Sequence, residues 1–279
     1  MKTAPLNLGV RSIFYIVLAL FLIAQIYPIF WVIISSFKTQ AEVMNNAPYS
    51  LPSGLYLGNY ISMLENSKIP KYFLNSAIVT ALTLLFTIVI GAPAAFAIEK
   101  MKFKAGSKVM TFFLLGIMIP IFVTLLPMFQ MYNALGLRNT YMSLILPQVG
   151  FNLPICIYLY TGFMRYVPNS LMESAYLDGA GSFKIFTKII LPMSKNTTIT
   201  IITFNFIFIW NEFIFANTFM TSSDMKTLPL GLNDFVGLYG FTDWGATYAA
   251  ITITIMPTLI LYFILNKNVI EGMASGAVK

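Results

Sequence analysis

Charge is scarce in this chain. Only 10% of its 279 residues are Asp, Glu, Lys or Arg, against about 25% in an ordinary soluble domain, and mean hydropathy is +0.78. A large core does not explain the deficit, because a water-facing surface still needs charge. A chain that faces lipid over most of its length does explain it. Histidine is absent. That removes the commonest general base and metal ligand, and it argues against an intramembrane protease of the Ser-His or zinc type. The single cysteine, Cys156, excludes a disulfide within the chain and reads as a small apolar residue in a helix. No Gly-x-x-x-x-Gly-Lys-Ser/Thr phosphate loop occurs, since Gly106-Ser107-Lys108 lacks the upstream glycine at the required spacing. The chain cannot bind ATP by that device. Repeats, low-complexity tracts and charge runs of the nucleic-acid-arm kind are missing too.

What is present is a set of six long apolar runs. A spanning helix needs about 20 mostly apolar residues. Residues 13–35, 73–98, 109–130, 143–163, 197–219 and 248–266 meet that requirement. The predicted fold class is all-α, a polytopic membrane protein with six transmembrane helices in a single domain over residues 1–279. The first run follows Lys2 and Arg11, but it is too long for a signal-peptide core and no small-residue cleavage site ends it, so a retained helix is expected. Of the 17 basic residues, Lys38, Lys68, Lys71, Arg138 and Lys226 fall in one set of loops and the other twelve in the opposite set. The richer set is cytoplasmic by the positive-inside rule, which puts both termini inside and accounts for the net charge of +7 without nucleic acid. The outer loops, residues 37–72 and 220–247, are polar and turn-rich, with room for short helices but not for a domain. Pro28, Pro93, Pro120, Pro127, Pro147, Pro154 and Pro257 lie within the runs, where neighbouring groups can satisfy the freed carbonyls.

The connector between the fourth and fifth runs, about residues 165–196, is long. Ser170 followed by Glu173 has the capping-box pattern, which predicts a helix over residues 171–178. Gly179 suits its stop, where positive φ is needed. Ser182 is expected to cap a second helix over residues 183–191, halted at Pro192. In that helix Phe183, Ile185, Phe186, Ile189 and Ile190 make an apolar stripe, with Lys184 and Lys188 one turn apart. The product is a bent helical elbow on the cytoplasmic face. On the residues alone, an interfacial amphipathic connector fits equally well.

The stretch Glu173-Ser174-Ala175-Tyr176-Leu177-Asp178-Gly179-Ala180, followed by Phe186, Ile189, Leu191 and Pro192, resembles the EAA signature of binding-protein-dependent ABC importers. Ser174 departs from the usual Ala, a small-for-small change that should preserve close packing. Further likenesses run along the whole chain: Pro28-x-x-Trp31 and Ser36-Phe37-Lys38, then Ala95 to Phe103, then Leu135-Gly136-Leu137-x-Asn139-Thr140, Trp210-Asn211-Glu212-Phe213, and the tail Gly276-Ala277-Val278-Lys279. These are similar to carbohydrate-uptake permeases of the shorter, six-span kind, such as the shorter maltose permease subunit. The resemblance implies a type I ABC importer permease fold in a bacterial plasma membrane. It implies that the elbow is the coupling helix, entering a cleft on an ATPase subunit through Glu173, Ser174, Ala175, Asp178, Gly179, Ala180, Phe186, Leu191 and Pro192. The implied partners are a second permease subunit, two ATPase subunits or domains, and an extracytoplasmic solute-binding protein. ATP and Mg would sit on the ATPase, and this chain would bind no cofactor or metal.

Glu212 is the one ionisable residue expected inside a span. A charge at membrane depth costs about 3 kcal/mol on insertion scales, so it normally faces a cavity or a partner. With Asn205, Trp210 and Asn211 it forms a candidate translocation path, since a ring beside amide and carboxylate groups suits a sugar. An equal reading makes Glu212 a structural brace or an interface residue. Three rival functions remain on the residues. An ion-coupled secondary transporter would show several intramembrane charges and internal repeats. An intramembrane enzyme would need paired carboxylates or His. An ABC permease for a non-sugar solute would share the elbow but not the Trp210 to Phe213 likeness.

Overall fold

The computed structural model describes residues 8–101, 103–235 and 242–277, and all its regular structure among them is helical. Helix α1 (Leu8–Ser35) is followed by the short α2 (Gln40–Asn45) and α3 (Gly58–Asn66). The 32-residue α4 (Ile69–Lys100) leads to α5 (Gly106–Ile117), α6 (Ile121–Ala134) and α7 (Met142–Arg165). Then come α8 (Asn169–Leu177), α9 (Ser182–Ile185), a π turn (Phe186–Ile190) and α10 (Leu191–Met193). The chain finishes with α11 (Lys195–Trp210), α12 (Ile214–Phe219), α13 (Leu228–Gly231) and α14 (Trp244–Ala277). The expected residues Val278 and Lys279 of the tail lie outside the described residues.

Four of these helices are long and apolar enough to cross a bilayer: Gly9–Ser35, Ile69–Lys100, Met142–Arg165 and Trp244–Leu265. They match four of the six expected spans. The other two differ from expectation. Residues 109–130 are not one helix but the pair α5 and α6, whose axes differ by 95°. Pro120, with φ −68° and ψ 133°, stands at the break. A proline has no N–H to donate and pushes the residue before it out of the helical region, so α5 ends ahead of it and α6 starts behind it. Residues 197–219 are likewise split at Asn211 to Phe213, leaving α11 at 16 residues.

The chain resolves into two compact units, Met1–Ile69 with Leu232–Ile255 and Pro70–Gly231 with Met256–Lys279. In the first unit, polar side chains organise the loop that follows α1. Buried Asn59 donates to the Ser36 and Lys38 carbonyls at 2.8 and 2.7 Å. The Trp31 indole donates to the Pro48 carbonyl at 2.7 Å, and its ring meets Tyr248 edge-on. The Gln40 side chain donates to the Thr242 carbonyl and accepts from the Trp244 N–H. A Cβ at Gly245 would collide with the Asn59 carboxamide, so glycine is required there. Thr39 and Glu42 form a reciprocal capping box on α2. The Ser53 hydroxyl, followed by the Thr39 and Ser53 backbone N–H groups, holds the Glu42 carboxyl down at about 2.

The second unit has two apolar cores. One joins Val79, Tyr132, Leu144, Ile145, Phe215 and Phe219, from α4, α6, α7 and α12. At that end Asn75 donates to the Asp224 and Lys226 carbonyls, both at 2.8 Å, and accepts from the Tyr141 hydroxyl. Asn139, in the left-handed region at φ 58°, accepts from the Thr221 and Ser222 N–H groups at 3.0 Å. A short polar side chain tolerates that backbone better than others. The other core gathers Ala92, Ala95 and Phe96 of α4, Ile157, Tyr160 and Met164 of α7, and the inner face of the 169–193 segment. Gly91 lets α4 approach Cys156 of α7: a Cβ there would lie 2.6 Å from its sulfur. Small residues permit this kind of close helix contact.

Candidate functional site

The 169–193 segment is an elbow, but its parts are set differently from the capping scheme expected for it. Helix α8 begins at Asn169, not at residue 171, and its N-cap is Pro168 with φ −59° and ψ 134°. No side chain caps it. Ser170 is therefore already helical, and the Ser170–Glu173 capping box does not form. Pro168 decides this, because its fixed φ suits the entry to a helix and moves the start upstream of Ser170. Gly179 behaves as expected, with φ +77°. The Ala180 N–H bonds the Ala175 carbonyl at 2.9 Å and the Gly179 N–H bonds the Tyr176 carbonyl at 3.0 Å. That pair of bonds is a Schellman ending, which needs a residue at positive φ.

The second arm also departs from expectation. Gly181, not Ser182, precedes it, and the Ser182 hydroxyl pairs with the Tyr176 hydroxyl at 3.0 Å across the bend. Pro192 does not halt the arm, which runs on to Met193. The π turn just before it explains why: the Leu191 N–H reaches back five residues to the Phe186 carbonyl. This wider turn makes room for a proline ring that would meet the i−4 carbonyl of a regular helix.

The elbow has two faces. Met172, Ala175, Ile185, Phe186 and Ile190 are buried, with the Phe186 ring 5.4 Å from that of Phe96. Leu191 is half-buried and Pro192 exposed. Glu173, Ser174, Asp178 and Gly179 are exposed, and Ala180 is partly so. Within this chain the packing demand thus falls on Ala175 and not on Ser174. Leu177 and Phe183 stand out to solvent at 89% and 80% exposure. Phe183 was expected within the apolar stripe. It is exposed, whereas Ile185, Phe186 and Ile190 are buried. Leu177 and Phe183 are thus large apolar side chains that this chain leaves uncovered.

A cavity of about 1100 Å³ lies in the same unit, lined by α4, α5, α7 and α11. Asn152 and Thr161 of α7 and Thr200 and Asn205 of α11 contribute polar atoms, and Phe204 and Phe208 present exposed rings one turn apart. The Thr161 hydroxyl and the Asn205 amide nitrogen are buried without a hydrogen-bond partner among the described residues. Buried polar atoms ordinarily find partners, so these two stand out in the wall of the cavity.

Of the four expected path residues, only Asn205 lines this cavity. Trp210 is packed between Phe206 and Phe73. The Asn211 side chain turns back to the Ile207 carbonyl at 2.8 Å. The Glu212 carboxylate accepts from the Phe215 and Ala216 N–H groups at 2.6 and 3.2 Å and so caps α12. It sits at a helix break, not within a helix. Phe204, Phe208, Asn152 and Thr161 escaped the sequence reading. The signal was there: two rings four residues apart flank an asparagine inside an apolar run.

The model of the family described as binding-protein-dependent transport system inner membrane component matches residues 87–275. A probable ABC transporter permease protein, YurM, of Bacillus subtilis is 38% identical over 265 residues, covering 95% of this chain and 87% of its own. The trehalose/maltose transport system permease protein MalG of Thermococcus litoralis is 32% identical, covering 91% of each chain. A chain in the crystal structure of a bacterial ABC transporter involved in import of the acidic polysaccharide alginate has the same fold, with a TM-score of 0.83, 18% identity, and 96% and 99% coverage. The chain belongs to the family of binding-protein-dependent transport system inner membrane components.

Proposed function

We propose that this chain is a permease subunit of an ATP-driven importer and forms half of the translocation path for a sugar handed over by an extracytoplasmic binding protein. The observation that carries the reading is the elbow: a signature segment whose carboxylates Glu173 and Asp178 and two large apolar side chains are exposed, while its other face is bolted to α4 and α7. Such a surface is built to receive a partner and to pass its movement into the long helices. The partner is an ATPase that carries ATP and Mg, since this chain has no phosphate loop of its own. In this reading α5 with α6 and α11 with α12 act as the third and fifth of six spans, and the elbow and both termini face the cytoplasm. A second permease subunit supplies the other half of the path.

The cavity between α7 and α11 is the part of that path which this chain provides. Rings at Phe204 and Phe208 suit the C–H faces of a sugar, and Asn205, Thr161 and Asn152 suit its hydroxyls. The relative named for trehalose and maltose supports a sugar over other solutes. The test is co-purification with the products of neighbouring genes, followed by ATPase assay with candidate sugars and binding protein. Stimulation by one sugar-loaded binding protein is the expected result. Stimulation only by a non-sugar solute would move the chain to another uptake class. Transport by the chain alone, driven by an ion gradient, would overturn the reading.

A further inference from the structure

We infer that Lys100 is the positioning residue that locks the coupling elbow to α4, so that movement of the elbow becomes movement of a 32-residue span. This rests on the reading of the elbow as an ATPase dock. Lys100 is the last residue of α4, and it is 9% exposed. Its ammonium donates to the Val167 carbonyl at 2.6 Å and to the Asn169 side-chain oxygen at 3.0 Å. Those acceptors flank Pro168, the residue at which α8 begins.

The placement runs against what a lysine at the end of a span ordinarily does. Its long stem normally carries the charge out to water. Here the charge is drawn inward, which costs desolvation. The start of α8 opposes a cation there, while the C-terminal ends of α4 and α7 favour one. Two short charge-assisted bonds offset these costs. They have a geometric consequence that the surrounding core lacks. The Phe96–Phe186 contact and the alanines of α4 hold the elbow by dispersion and burial, which tolerate sliding and rotation. Hydrogen bonds from one ammonium to both sides of Pro168 fix where α8 starts and which way it points. The adjacent Glu99–Arg165 pair, at 3.6 Å with Arg165 70% exposed, is too solvated to do the same.

The experiment uses the complete importer with its ATPase, second permease and binding protein, reconstituted in lipid. Lys100→Met keeps the stem and removes the donors. It is expected to leave assembly unchanged and to lower stimulation of ATPase by sugar-loaded binding protein about ten-fold, the scale of one hydrogen bond to a charged group. Asn169→Ala should lose about three-fold, and Asn169→Asp, which keeps the acceptor, should retain wild-type coupling. If Lys100→Met prevents assembly, Asn169→Ala decides. Loss of assembly in both variants makes Lys100 a folding residue and overturns the inference. Intact complexes with wild-type stimulation in Lys100→Met also overturn it, while leaving the dock itself standing. Absence of stimulation in the wild-type complex would instead remove the dock reading on which the inference rests.

Discussion

Glu173 in the elbow and Glu212 between α11 and α12 exchange the roles their surroundings in sequence would assign. Glu173 follows Ser170 at capping-box spacing, yet α8 has started before Ser170 and the Glu173 carboxylate points outward. Glu212 follows a tryptophan and an asparagine in a run that reads as sugar-contacting, yet its carboxylate takes the first free N–H groups of α12. A third carboxylate, Glu42, does form a capping box, with Thr39 in an extended conformation at the N-cap. The lesson lies in where each helix begins. A helix offers unpaired N–H groups only in its first turn. A carboxylate caps when it is near that turn and becomes free for other work when the turn has been moved away from it. Pro168 moves the start of α8 upstream, and the break at Asn211 creates a new start beside Glu212.

This contrast can be broken by experiment. The largest effect belongs to Glu173→Lys, which reverses charge on the exposed face. It should abolish transport and co-purification with the ATPase while membrane insertion and thermal stability stay at wild-type values. Loss of stability would instead return Glu173 to a structural role. Asn205→Leu should lower transport severalfold at unchanged ATPase assembly, measured as uptake per reconstituted complex, because it replaces the one expected path residue that reaches the cavity.

Glu212→Ala leaves two N–H groups of α12 without their acceptor. Loss of a cap costs about 1 kcal/mol, so melting should fall by about 2–4 °C, and transport should fall only as far as folded protein does. Glu212→Gln, which retains an acceptor, should stay near wild type. Transport lost at full stability would put Glu212 back in the path. Ser170→Ala should change stability by less than about 0.5 kcal/mol, since no box is there to lose. The smallest effect is local. Because the folded carboxyl of Glu42 lies near 2, below its ordinary 4.5, the order it lends to its loop is complete above 4.5 and is lost as pH falls toward 2. Hydrogen exchange at the Ser53 amide across that window is the measurement, and Glu42→Gln should exchange faster at neutral pH.

Four spans were legible from length and apolarity alone, because a straight helix in lipid needs little else. The break at Pro120 was also written in the residues, but a proline inside a span is tolerated as often as it divides one. Pro93, Pro147 and Pro154 sit inside unbroken helices while the chain divides at Pro120, and only the folded structure shows which outcome each proline takes. Gly179 was legible for a different reason: positive φ is a local property of the chain, and glycine meets it without strain.

The residues by themselves thus determined a helical, strongly apolar chain with spans long enough for a membrane, a bent segment between its fourth and fifth apolar runs, and no phosphate loop. Apolar length and the positive φ at Gly179 are set within one or two turns of chain, and both held in the folded structure. Which carboxylates cap, that Leu177 and Phe183 are left exposed, that Asn205 and Thr161 line one cavity, and that Lys100 reaches over 67 residues to Val167 were decided only when the helices packed. Those facts depend on which backbone groups remain unpaired and which surfaces meet after folding, and neither is a property of neighbouring residues in sequence.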